Sequence, residues 1–135
     1  MNMSKWSSAL LSVLRIMSGL LFLEHGTSKE FGFPPEMAAA HAGPAPAHYM
    51  VLMHQGSGVL ELVGGILLVV GLFTRLSAFI LSGEMAVAYF MVHAKMGFYP
   101  INNHGEIAVL YCFVFLYLAA AGAGPFSLDR LRHKA

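Results

Sequence analysis

The sequence predicts an all-α fold: a four-transmembrane-helix bundle with both termini cytoplasmic. Three observations lead there. Hydrophobic residues make up 57% of the 135 positions and charged residues only 11%, whereas a soluble domain carries about a quarter charged residues. The apolar residues gather into four runs near the ~20 residues that a membrane helix needs. Lysine and arginine are shared unequally between the two sets of loops, which sets orientation.

The first span is expected at about 7–25, with Arg15 inside it. Lys5 precedes it as in a secretory signal, but no A-x-A cleavage site follows and Arg15 interrupts the run, so it reads as a retained helix. The second span, about 52–73, holds Glu61, and the third, about 75–93, holds Glu84. The fourth, about 104–123, is the clearest, because Ile107 to Leu128 contains no charge. A tight turn near Thr74 joins the second span to the third. A loop with Gly97, Pro100, Asn102 and Asn103 joins the third to the fourth. The long outer loop, about 26–51, carries Pro34, Pro35, Pro44 and Pro46, and its Ala-rich stretch Met37–Ala42 is expected as a short interfacial helix. No soluble domain is appended, so residues 1–135 read as a single integral membrane domain.

With four spans both termini share a side, and that side holds Lys5, Arg75, Arg130, Arg132 and Lys134 against Lys29 and Lys95 opposite. This places the termini in the cytoplasm and the chain in the cell (inner) membrane as a multi-pass protein. The net charge of +1 gives no case for nucleic acid. Cys112 is the single cysteine, which excludes an internal disulfide, a Cys-x-x-Cys pair and a thiolate zinc site. Walker A, G-x-G-x-x-G and G-x-S-x-G patterns are all missing.

Arg15, Glu61 and Glu84 each lie about nine residues, ~13.5 Å, from the outer end of their span, which predicts all three near the midplane. A charge there costs at least ~2.5 kcal/mol and normally faces the bundle interior. Arg15 with Glu61 is the expected pair, leaving Glu84 as a surplus acid able to take a proton or ligand. The plain alternative is that the pair only sets helix register. Gly58 and Gly64 share the face of Glu61, where they either pack helices or leave room for a ligand.

Histidines crowd the outer side. His25, His54, His93 and His104 mark the ends of the four spans, with Glu24, Glu106 and Lys29 near the same level and His41 and His48 in the long loop. Those four histidines, with nearby methionines, are weak candidates for a metal or haem site. No E-x-x-H spacing occurs, which argues against a bundle di-iron centre. The same groups suit proton exchange with a quinone head group, with Glu84, Glu106 and His54 in that role.

The motifs of this chain, taken together, resemble the DoxX family of small four-helix membrane proteins. In the first span they are Arg15, Gly19 and His25-Gly26-x-x-Lys29. In the second they are Glu61-x-x-Gly64-Gly65, then Gly71 and Thr74-Arg75. Near the fourth they are Asn103-x-Gly105-Glu106, Gly122-x-Gly124 and Ser127-x-Asp129. The resemblance implies a link to redox complexes, since relatives include a subunit of a thiosulfate:quinone oxidoreductase. It does not name an activity. It points to an accessory or quinone-interacting subunit, partnered by lipid and by a redox enzyme subunit or further copies of itself. Intramembrane charges also suit a small oligomeric proton-coupled transporter, and a structural or maturation factor for a membrane complex is the third reading.

Overall fold

A computed structural model describes residues 3–35 and 48–132 of the chain. The stretch expected as an interfacial helix, Met37–Ala42, lies outside the described residues, as do His41, Pro44, Pro46 and Lys134. The described residues contain helices and no strand. In order they are α1 (Met3–Phe31), α2 (His48–Val70), α3 (Thr74–Met91), a short 3-10 turn (His93–Met96), α4 (Glu106–Ala121) and α5 (Leu128–Arg132). Helices α1, α2 and α3 are long and apolar enough to cross a membrane, and α4, apolar throughout its 16 residues, is shorter.

Two boundaries differ from expectation in a way that matters. Helix α1 runs past the expected end near residue 25 to Phe31, because the first residue that stops it is Gly32, at φ +67°. Helix α2 begins at His48, so that histidine opens the helix instead of lying in the loop. At its other end α2 closes on Gly71. The N–H of Leu72 donates to the carbonyl of Leu67 and the N–H of Gly71 to that of Leu68, a Schellman arrangement that needs the left-handed backbone Gly71 supplies (φ +70°).

Helix α1 packs most extensively on α2, and α3 on α4, with α2 and α3 in contact between the pairs. Close approach of α1 and α2 depends on Gly19 facing Gly65. A side-chain carbon added at Gly65 would sit 2.9 Å from the Gly19 carbonyl and 2.9 Å from the Leu23 nitrogen. The core where the four helices meet is aromatic. Phe22 meets Phe115 edge-on with ring centres 4.5 Å apart, and Leu68, Leu81 and Leu118 are buried around them. Most outward side chains are apolar and exposed, such as Leu10, Val13, Met17 and Phe79, as lipid contact requires.

The polar ends are locked by side chains reaching across helices. Arg15 is fully buried and donates from its guanidinium to the carbonyls of Leu68, Val69, Ala123 and Phe126. Arg75 donates to the carbonyls of Ala119 and Ala120 at 2.9 and 2.6 Å, covering groups that the end of α4 leaves open. Asp129 accepts the N–H of Phe73 at 2.8 Å and of Thr74 at 2.9 Å, capping α3 from another element. Burial pushes the Asp129 carboxyl up, but those two N–H groups and nearby Arg132 outweigh it and hold it below the ordinary aspartate range.

Two outcomes follow from this packing. Gly65→Ala should lower stability in detergent by about 1–3 kcal/mol, because backbone atoms must move. Gly83→Ala, where an added carbon meets nothing within 4 Å, should fall within about 0.5 kcal/mol of the parent. A pair of equal losses would contradict the close approach. Asp129→Asn should cost about 0.5–2 kcal/mol at neutral pH. A depressed carboxylate stabilises fully above its unfolded value of about 3.9 and loses that contribution as pH falls through its folded value. The gap between parent and variant in thermal melts should therefore narrow below about pH 4 and stay constant above pH 6.

Candidate functional site

A cavity lies between α2 and α3 at the end of the bundle away from Arg15. It encloses about 550 Å³, within the range of small-molecule pockets. Its walls are largely apolar, with Leu60, Ile80, Met85 and Met91 among them, and five ionisable side chains line it: Lys29, His54, Glu61, Glu84 and Lys95. Helices α1, α2 and α3 supply the first four, and the 3-10 turn after α3 supplies Lys95. Ser57 and Glu61 are one helical turn apart on α2, which puts both on one face. Glu84 projects from the facing side of α3, and Lys29 arrives from the last turns of α1.

The expected Arg15–Glu61 pair does not form. Glu61 instead takes Lys29, whose Nζ is 2.8 Å from Glu61 Oε1 and 2.9 Å from Ser57 Oγ. The cause is the greater length of α1. Once that helix continues to Phe31, its outer turn stands level with Glu61, and Arg15, 14 residues earlier, is ~21 Å away along the axis. Lys29 had been assigned to the outer polar cluster. The sign of its actual place was that neither glycine nor proline halts α1 between Gly26 and Gly32. Gly58 and Gly64 do not open space for a ligand, since Gly58 packs against Glu30 and Lys29 and Gly64 against Leu81.

Lys29 and Glu61 side chains are 16% and 4% exposed. Their pairing leaves Glu61 Oε2 and both carboxyl oxygens of Glu84 buried without a hydrogen-bond partner among the described residues. Buried acceptors with nothing to accept from are costly. Here three of them share one apolar pocket that also holds an ammonium group. Such a pocket can orient a polar head by hydrogen bonds, exchange protons with it and shelter an apolar body.

The remaining expected site residues are dispersed. Glu24, His25, His104 and Glu106 are exposed and do not line this cavity. His93 places Nδ1 2.9 Å from the Asn103 carbonyl oxygen and stacks on Tyr89. Asn103, absent from the expected site residues, is fully buried: its amide donates to the Gly97 carbonyl at 2.8 Å and its side-chain oxygen accepts the Gly105 N–H at 2.8 Å. It organises the loop before α4. Among the described residues no three His, Cys, Asp or Glu side chains come together as a metal site.

Apolar helices on the outside and a charged, partly unsatisfied pocket within them define a small helical membrane protein. The DoxX family model matches residues 10–94, and the chain belongs to that family. Its relatives include an uncharacterised protein of Haemophilus influenzae, 45% identical over 131 residues, covering 95% of this chain and 94% of that one. The "Inner membrane protein YqjF" of Escherichia coli is 28% identical over 130 residues, 90% of this chain and 91% of that one. The "Putative oxidoreductase CatD" of Bacillus subtilis is 27% identical over 117 residues, 87% and 82% of the two chains. No solved structure matches the chain.

The ion pair makes its own prediction. Lys29→Met alone should destabilise by about 3–5 kcal/mol, because Glu61 is left charged and alone. Lys29→Met with Glu61→Met should recover most of that loss. Unfolding of both in detergent checks it, and a double variant no better than the single would contradict the pairing.

Proposed function

We propose that the protein is an accessory, quinone-interacting subunit of a membrane redox complex, with its helices forming one multi-pass domain and both termini in the cytoplasm. The observation that carries this is the set of three unpartnered carboxylate oxygens beside Lys29 in an apolar pocket of about 550 Å³. That combination suits an amphiphile with an apolar body and a head that both accepts and donates hydrogen bonds. A quinone, when bound, supplies two-electron, two-proton chemistry, and this chain supplies no redox centre of its own that the sequence reveals. Lys29 and Glu84 hold the head, with Glu61 fixing the lysine in place. Glu84 and His54 take up or return protons at the mouth of the pocket, while Leu60, Ile80 and Met91 receive the ring and chain. Glu106, which lies outside this pocket, has no part in that assignment. The family, and an oxidoreductase name on one relative, point the same way.

The test is direct binding. Purified protein is titrated with a short-chain ubiquinone analogue and its quinol, following retention on the protein. Glu84→Gln keeps the shape and removes the charge, and should weaken binding of the quinol, whose hydroxyl donates to the carboxylate, about tenfold, the equivalent of one charge-assisted hydrogen bond. No saturable binding of either form by the parent protein would sink the proposal.

A further inference from the structure

A second cleft, of about 660 Å³, lies at the opposite end of α3, between its first turn and the segment that follows α4. Arg75, Arg130 and Arg132 line it together with Asp129. Three guanidinium groups against one carboxylate leave a net charge of +2. The carboxylate is itself engaged, since both of its oxygens accept backbone N–H groups of Phe73 and Thr74. Arg75 spends one nitrogen, Nη1, on the α4 carbonyls, and its Nε and Nη2 make no hydrogen bond among the described residues. Arg132 is held 4.6 Å over the Phe73 ring, a cation–π contact that keeps its charge at the cleft.

The rim of this cleft is apolar. Phe73 is 51% exposed and Leu76 61% exposed, and both line it. A free anion would answer the arginines and leave those two side chains in water. A molecule with an anionic head and an apolar body answers both. Guanidinium groups match phosphate oxygens bidentately, and basic pockets at the ends of membrane helices suit phospholipid heads.

We infer that this cleft binds the phosphate of an anionic phospholipid, with the acyl chains lying against Phe73 and Leu76. The site is separate from the Glu84 pocket and does not depend on the function proposed for that pocket. It also gives the basic C-terminal segment a ligand in addition to its role in setting orientation.

Native mass spectrometry of the full chain in mild detergent tests this, with phosphatidylglycerol and phosphatidylcholine offered in equal amounts. The parent protein should retain phosphatidylglycerol over phosphatidylcholine by at least about fivefold, the effect of a single basic residue at a membrane surface. Arg130→Gln with Arg132→Gln, both at exposed positions, should bring that ratio close to one. Lys95→Gln, at the other end of α3, should leave it unchanged. Equal retention of the two lipids by the parent protein, or an equal fall in the Lys95 variant, would overturn the assignment. A further arm adds millimolar inorganic phosphate. Failure to displace the lipid supports a lipid site, whereas full displacement with saturable phosphate binding makes this a free-phosphate site and overturns the lipid assignment.

Discussion

One buried guanidinium sets the geometry of this molecule. Arg15 has no access to solvent, so its donors must be satisfied from within, and in an apolar surrounding an unmade hydrogen bond is expensive. Among the described residues, the acceptors that answer it are carbonyls at the end of α2 and in the segment after α4. Placing Arg15 there fixes how far α1 slides along α2, together with the Gly19–Gly65 approach. That register then decides what stands opposite Glu61. Because α1 is a rigid rod, a contact made at one end of the bundle delivers Lys29 to the site at the other.

The two ends of the bundle are built on opposite principles. Around Arg15, Arg75 and Asp129, charged side chains are spent on backbone groups that helix ends leave open, and the result is closure. Around Glu84, the backbone is already satisfied by continuous helix, so the charged side chains have only each other. Lys29 can serve Glu61 and Ser57 but leaves three carboxylate oxygens unanswered. A protein that only needed stability would be better served there by apolar residues of similar volume. The charges make sense as recognition groups, which is why the quinone proposal rests on this end.

Much of this could be read from the sequence, and the failures have a common cause. The apolar runs placed α3 within two residues at either end, because Gly71 and Thr74 mark its start and the polar loop its finish. The single-helix periodicity put Gly58 and Gly64 on the face of Glu61. What a single helix cannot reveal is its partner. Arg15 and Glu61 looked matched because each sat at the same distance from an assumed span end, and that end was misplaced for α1. Gly32, not His25, was the stop signal. Likewise the capping role of Asp129 shows only once the fold brings it against α3, some 55 residues earlier in the chain. Glu24, His25, His104 and Glu106 look like a cluster in sequence because all lie near span ends. They are exposed and none lines the cavity between α2 and α3, because rotation about a helix axis is a matter that depth along the helix does not encode.

The shortness of α4 has a consequence for the membrane itself. Its 16 residues rise ~24 Å, some 6 Å less than a typical hydrocarbon core. Helices α1 and α2, of 29 and 23 residues, are long enough to span the full thickness. A bilayer that α4 also crosses would therefore be asymmetric in profile, pinched on the α4 side and full on the other. Hydrophobic mismatch of this kind costs a fraction of a kcal/mol per ångström, enough to favour thinner patches of membrane around the protein.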